Sequence, residues 1–159
     1  MFAARSIELR GGFAVEAPVE AAFELFSPLG EKLWVPGWSP ELLHPLGVDW
    51  GQGQVFRTQA EQGEAVWVVT ALDRLRHDVE YLRVEPGRYV ARVRVQCRAQ
   101  VAGQTEVAVT YSFVGLSDAG NRDIAAMSPA AYEKKMQQWQ EWIARSGAVG
   151  RGDGARNSR

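Results

Sequence analysis

The amino-acid sequence predicts an α+β fold, in which a twisted antiparallel sheet wraps around one long C-terminal helix. Two observations carry this prediction. Strand-like alternation recurs along the chain and is clearest over residues 88–116, where apolar and polar side chains take turns. A single apolar stripe at helical spacing then follows over residues 132–143. The helix can bury this stripe only against the apolar face of the sheet, so the two must pack together.

The predicted sheet has about six to seven strands. Residues 6–16 alternate between apolar and charged side chains, which indicates a half-buried strand, and Gly11 and Gly12 in its middle predict a bulge or a bend. The run over residues 65–72 is apolar on both faces, so we expect it in the interior of the sheet. Further strands are expected over residues 55–60, 78–85, 88–101 and 105–116, the last two paired as a hairpin.

Two short helices are expected after the first strand. Pro18 suits the first turn of the first helix, which ends near Ser27 because the following proline disfavours a helical residue before it. The second lies near residues 29–33, inside a turn-rich segment, residues 27–54, that is typical of lids and binding loops. Residues 117–127 form either a loop or a short helical turn.

The long C-terminal helix has clear start and stop signals. Ser128 and Pro129 supply an N-cap and a first-turn proline, and Gly147 is placed to end the helix. Its buried stripe comprises Tyr132, Met136, Trp139 and Ile143.

Length and composition limit the classes of function. The 159 residues suit a single domain, which we expect over residues 1–146, followed by a disordered tail over residues 147–159. Eighteen Lys and Arg stand against 19 Asp and Glu, a net charge of -1, so we expect no nucleic-acid partner. The longest apolar run is too short for a membrane span, and an export signal is absent from the sequence. A cytoplasmic location with no membrane insertion is therefore expected.

The sequence gives little indication of a metal site or of a catalytic nucleophile. His44, His77 and Cys97 lie far apart in the sequence and match no zinc motif, and there is no nucleophile elbow. We expect Cys97 to be an inert core thiol, because it falls on the apolar face of a strand. No metal and no cofactor are predicted.

Three stretches of the chain have a familiar order of elements: FAVEAPVEAAFELFSPLGEKLWVPGW (13–38), VTYSFVGLSDAGN (109–121) and AYEKKMQQWQEWI (131–143). Together with the strands between them they resemble the SRPBCC superfamily over about residues 5–146. This superfamily has the helix-grip fold of START lipid-transfer domains, birch-pollen-allergen-like proteins and polyketide cyclase/dehydrase-like proteins. The resemblance implies a deep, mostly apolar cavity between sheet and helix, with the early helices and their loop near its mouth.

Inward-facing aromatic and apolar side chains are the candidates to line this cavity. They are Trp67, Tyr81, Tyr111, Phe113, Tyr132, Met136 and Trp139. Tyrosine hydroxyls supply oriented hydrogen bonds in apolar pockets, although packing of the same side chains in a filled core is the alternative. Trp34, Trp38 and Trp50 are expected at the mouth of the cavity, with anchoring of the loop as the alternative.

The leading functional hypothesis is that the protein binds a hydrophobic or aromatic small molecule, either lipid-like or polyketide-like. A homodimer is also compatible with the sequence. One alternative is a cyclase/dehydratase-like enzyme, with Glu41 or His44 as candidate acid or base. The lack of an evident carboxylate or histidine on an inward strand face counts against it. A second alternative is a protein-interaction module resembling chaperone activators, which requires an exposed apolar patch.

Overall fold

The computed structural model describes residues 1–47 and 50–149, and this part of the chain forms seven strands and three α-helices. The strands are β1 (Ser6–Val15), β2 (Glu41–His44), β3 (Val55–Ala60), β4 (Gly63–Asp73), β5 (Asp78–Glu85), β6 (Tyr89–Ala99) and β7 (Thr105–Gly115). The helices are α1 (Val19–Glu24), α2 (Asp118–Ala125) and α3 (Pro129–Ser146), with one 3-10 turn, Gly30–Leu33. The predicted fold class is confirmed.

All seven strands belong to one antiparallel sheet with the order β1-β7-β6-β5-β4-β3-β2. Strands β2 to β7 follow one another as a meander, and β1 pairs with β7 at the other edge. The strand over residues 65–72 is β4, and it lies inside the sheet as its two apolar faces predicted. The β6–β7 hairpin is confirmed, with Tyr89 opposite Gly115 and Ala99 opposite Thr105.

The two faces of the sheet differ as the alternation predicted. Side chains on the inward face of β6 and β7 are buried, whereas the outward face carries ion pairs between neighbouring strands. Arg92 lies 3.4 Å from Glu80, and Arg98 lies 2.9 Å from Asp78. Exposed pairs of this kind contribute little to stability, about 0–1 kcal/mol each, so the outward face that carries Arg92 and Arg98 is a solvated surface.

Helix α3 begins and ends where its capping residues predicted. The Ser128 hydroxyl accepts a hydrogen bond from the Ala131 N–H, and Gly147 takes the left-handed conformation, with a φ of 67°, that ends the helix. The stripe of Tyr132, Met136, Trp139 and Ile143 is buried, as expected.

Gly11 allows α3 to lie close to β1. A Cβ atom on Gly11 would lie 3.0 Å from Met136 Cγ and 3.1 Å from Tyr132 Cε1, tighter than ordinary packing. The pairing of β1 with β7 runs through Gly11 and Gly12 without a register shift, so the predicted bulge is wrong. The glycine serves close helix packing, one of the two uses that a glycine in a strand commonly has.

Strand β2 and helix α2 add to the elements predicted from the sequence. The sequence analysis did not predict strand β2, because four residues at the edge of a sheet are too few to show a period. The strand forms by pairing with β3, with Leu42 opposite Phe56. Helix α2 settles the segment left open between loop and helix, with the Ser117 hydroxyl as its N-cap. The predicted tail lies outside the described residues from residue 150 onward, and Val149 before it packs against the core.

None of the helices in the described ranges is both long and apolar enough to cross a membrane.

Candidate ligand-binding cavity

A cavity of about 220 Å³, here called the central cavity, lies between the inward face of the sheet and α3. Strands β3 to β7, helix α3 and the segment after α1 all contribute to its wall. Much of that wall is aromatic: Trp38, Phe56, Trp67, Tyr81, Tyr111, Trp139 and Trp142. Since a cavity of about 150 Å³ can hold benzene, this space suits about one or two fused rings.

Two further cavities share walls with the central cavity. The arginine cavity, about 320 Å³, lies over strands β3 to β6 and shares Trp38, Trp67 and Arg83 with it. The helix-end cavity, about 140 Å³, lies beside the start of α3 and shares Tyr111 and Lys135. A ligand longer than two rings therefore has two directions in which to extend.

The predicted lining residues divide between these cavities. Trp67, Tyr81, Tyr111 and Trp139 line the central cavity. Phe113 and Tyr132 line the helix-end cavity, together with Tyr111. Met136 lines neither, because the close approach of α3 to Gly11 buries it completely.

The three tryptophans expected at the mouth occupy different places. Trp38 lines the central cavity and donates a hydrogen bond from Nε1 to the Pro28 carbonyl (2.7 Å). Trp34 is buried instead, with Nε1 bonded to the Leu25 carbonyl (2.8 Å) and its ring against Trp139. Trp50 is also buried, and its ring centroid lies 4.7 Å from that of Phe23. This contact anchors the turn-rich segment to α1.

Glu41 and His44 lie on the edge strand β2, away from the central cavity. Both are exposed, and Glu41 accepts a hydrogen bond from Arg57 Nε at 2.7 Å. This hydrogen bond lowers the pKa of Glu41, which stabilises the ionised carboxylate rather than an acid. The structure thus brings neither candidate to the cavity.

The hydroxyls of Tyr81, Tyr111 and Tyr132 differ in whether they already donate a hydrogen bond within the protein. Tyr81 donates to the Phe26 carbonyl and Tyr132 to the Val109 carbonyl, each at 2.7 Å, which fixes both rings. The Tyr111 hydroxyl forms no hydrogen bond with any residue in the described ranges. Burial raises the pKa of all three, so they stay neutral hydroxyls. Tyr111 is therefore the tyrosine with a hydroxyl available to a ligand.

Glu31, in the 3-10 turn, lines the central cavity and was missed by the sequence analysis. The residue as a whole is half-buried, but protein surrounds its carboxyl group, and this burial raises its pKa well above the usual range. Its carboxyl makes no ion pair or hydrogen bond to the described part of the chain. No pattern in the sequence could have indicated it, because the turn belongs to an irregular segment.

Arg83 and Glu85 lie on the inward side of β5, so the expectation that inward strand faces lack carboxylates is wrong. Arg83 Nη2 donates to Glu85 (2.9 Å) and to the Tyr89 hydroxyl (2.7 Å), and its guanidinium faces the Trp67 ring at 5.4 Å. Arg88 shares Glu85, with 3.1 Å from Nη1 to the carboxylate. Period-two alternation from buried Tyr81 would have placed both residues inward.

Lys135 stands at the mouth of the central cavity, between it and the helix-end cavity. Its side chain remains open to solvent, and Nζ lies 4.9 Å from the centre of the Tyr111 ring. Partial desolvation, with the nearby charge of Arg83, lowers its pKa. Lys135 and Trp142 lie four residues before and three residues after Trp139 of the buried stripe, so their helical spacing places them on its flank.

We expect Glu31→Gln to stabilise the protein at about pH 8 and to leave its stability nearly unchanged at about pH 4. The pKa of Glu31 is raised in the folded protein, so the native state binds this proton more tightly than the unfolded chain does. The stability from that proton is present below the unfolded pKa and is lost as the pH rises through the folded one. Glutamine keeps the neutral form at every pH. Thermal unfolding at both pH values tests this, and a lower Tm of the variant at the higher pH would contradict it.

Solved structures of low sequence identity share this architecture. No family model and no curated protein matches the sequence. Norcoclaurine synthase from Thalictrum flavum is 10% identical, with a TM-score of 0.63 over 89% of this chain and 88% of that one. Ara h 8.0201 is 15% identical, with a TM-score of 0.61 over 91% and 98%. The Zhui aromatase/cyclase from Streptomyces sp. R1128 is 20% identical, with a TM-score of 0.53 over 99% and 97%.

The chain has the helix-grip fold. The resemblance drawn from the three sequence stretches is therefore confirmed at the level of the fold. In this helix-grip chain the sheet and α3 enclose a space that aromatic side chains narrow but do not fill.

Proposed function

We propose that the protein binds a small apolar or aromatic molecule in the central cavity. The observation that carries the proposal is an unfilled space of about 220 Å³ with facing aromatic walls, Trp67 from the sheet and Trp139 from the helix. Burial of ligand surface there contributes about 25 cal/mol per Å² of apolar area. The Tyr111 hydroxyl would supply an oriented hydrogen bond.

The size of the space supports a ligand rather than solvent as its occupant. The space lies between the sheet and α3, where side chains would otherwise pack, and the cores of proteins contain few voids larger than a water molecule. At about 30 Å³ for each water, roughly seven waters would have to lie against walls that are largely apolar and half aromatic. An aromatic ligand of one or two rings satisfies the same walls by stacking and edge contacts.

A protein of the same fold gives further support. Norcoclaurine synthase from Thalictrum flavum has been solved in complex with dopamine and hydroxybenzaldehyde, both single-ring aromatic molecules. The similarity is one of fold, so it supports the class of ligand and leaves its identity to experiment.

The proposal predicts saturable binding of 2-naphthamide, a neutral two-ring aromatic probe. Quenching of tryptophan fluorescence should report it, because Trp67, Trp139 and Trp142 line the cavity. Val95→Phe should abolish or strongly weaken binding, since Val95 lines the cavity and the larger ring fills it. Val114→Phe is the matched control, because Val114 is exposed on the outward face of the sheet.

Equal binding by the wild type and a folded Val95→Phe variant would contradict the proposal. Two negative results together would also contradict it: no binding of 2-naphthamide, and no small molecule found in the purified protein by native mass spectrometry and solvent extraction. Circular dichroism of each variant separates loss of binding from loss of the fold.

Catalysis in the same cavity is a second candidate function, favoured by one observation. Glu31 and Lys135 both face the central cavity, with the pKa of the acid raised and that of the amine lowered, as acid–base pairs in enzymes often require. Glu41 and His44 do not line this cavity. Turnover of a copurifying compound that is lost in Glu31→Gln would support this function. The protein-interaction alternative requires a filled core, which the open cavity does not favour.

A further inference from the structure

We infer that the ligand of the central cavity carries an anionic group, a carboxylate or an aromatic oxyanion, which binds between Lys135 and Arg83. The inference rests on the proposed function and names the chemical class of its ligand. It is argued from the polar groups of the cavity wall that have no protein partner, and from the charges they carry.

Lys135 offers a positive charge that the protein does not neutralise. Its Nζ lies 4.9 Å from the ring centre of Tyr111 and 6.0 Å from that of Trp139. No ion pair joins it to a carboxylate within residues 1–47 and 50–149. Cation–π contacts of this kind hold an ammonium in place without cancelling its charge. Because the side chain is open to solvent, an incoming ligand can reach it.

Arg83 offers a second donor on the sheet side of the same cavity. Its Nη2 is engaged by Glu85 and Tyr89, but Nη1 has no hydrogen-bond partner in the described chain and, unlike Nε, is not fully buried. One carboxylate oxygen of Glu85 pairs with Arg83 and the other with Arg88, so Glu85 neutralises the charge of Arg83 only in part. A guanidinium stays charged at all ordinary pH values, so this donor is permanent.

The remaining polar groups of the wall also favour an anion. The Tyr111 hydroxyl, without a partner in the described ranges, adds a neutral donor beside Lys135. Glu31 carries the one carboxyl group of the wall, and burial raises its pKa, which favours the protonated form. In that form the group can donate a hydrogen bond to an anion instead of repelling it. Desolvation and, after it, the positive charge of Arg83 lower the pKa of Lys135, so the two cations of the wall repel one another. An anion between them would relieve that repulsion and form charge-assisted hydrogen bonds.

The test compares 2-naphthoate with 2-naphthamide, which has the same rings and no charge, by isothermal titration calorimetry at neutral pH. We expect the wild type to bind 2-naphthoate at least about 10-fold more tightly, the effect of a charge-assisted hydrogen bond. Lys135→Met should reduce the ratio of the two affinities several-fold, to the preference that Arg83 alone supports, and Lys135→Arg should restore it. Lys134→Met is the matched control, because Lys134 is the exposed neighbour on α3 and lines none of the three cavities.

The outcomes separate this inference from the proposed function. Equal affinity of the wild type for the acid and the amide, or a preference for 2-naphthylmethylamine over both, would overturn the anionic class while the proposed function stands. An unchanged preference in Lys135→Met would overturn the assignment of the subsite. Binding of none of the probes would contradict the proposed function itself.

Discussion

Trp139→Ala should lower the free energy of unfolding by about 3 kcal/mol, at the lower end of the range of about 3–5 kcal/mol for large aromatic truncations in cores. Trp139 is 8% exposed and lies edge-on to Trp34, Phe13 and Tyr111, with ring centroids 5.4, 6.5 and 6.3 Å away. These contacts are lost on truncation. Part of the indole already faces the central cavity, so less packing is lost than in a filled core.

Urea unfolding measures this loss, and Trp142→Ala is the control on the same helix. Trp142 also lines the central cavity but is only half-buried, so its truncation should cost clearly less. A loss below about 1 kcal/mol for Trp139→Ala would mean that the indole is cavity wall and contributes little as core. The variant should also accept probes larger than 2-naphthamide, because the central cavity grows.

Glu85→Gln should be the most destabilising of the charge changes, by about 2–3 kcal/mol. The Glu85 side chain is 7% exposed and accepts hydrogen bonds from Arg83 at 2.9 Å and from Arg88 at 3.1 Å. Removing one member of a buried ion pair costs about 3–5 kcal/mol, because the remaining charge stays unpaired. The two guanidiniums keep some solvent contact, and Asp123 still pairs with Arg88 at 2.6 Å, so the expected cost is smaller.

Glu80→Gln provides the comparison for this ion pair. Glu80 pairs with Arg92 on the outward, solvated face of the sheet, so its loss should cost less than about 1 kcal/mol. Chemical unfolding of both variants at the same pH and ionic strength gives the two values. A similar small loss for both would show that the Glu85 cluster is not a buried network in solution.

Much of the cavity wall could be predicted from the sequence because periodicity reports the face of an element. Alternation along β7 indicated Tyr111 as an inward residue, and the helical stripe indicated Trp139. Trp67 and Tyr81 were expected in the interior as aromatic residues of predicted strands. The alternation rule, applied to the last residues of β5, would also have found Arg83 and Glu85. Charged residues usually lie on the solvated face of a strand, but this expectation fails where an arginine is paired and stacked, as Arg83 is.

The remaining site residues could not be predicted, for physical reasons that differ between them. Glu31 belongs to a turn whose position depends on contacts distant in sequence, such as the bond from Tyr81 in β5 to the Phe26 carbonyl. Trp34 and Trp50 lie in the same long segment as Trp38, and local sequence does not distinguish a buried anchor from a cavity wall. The edge strand β2 exists only because β3 supplies its hydrogen-bond partners.

The sequence by itself determined the α+β class, the order of the six longer strands along the chain, the ends of α3 and the aromatic character of the interior. These follow from local rules: side-chain period, capping residues and turn residues act over a few positions. Only the tertiary structure decided that the interior stays partly open, and that Glu31, Arg83 and Lys135 meet around that space. The reason is that a cavity and its charges depend on how side chains from distant segments fill a common volume, and no short stretch of sequence contains that information.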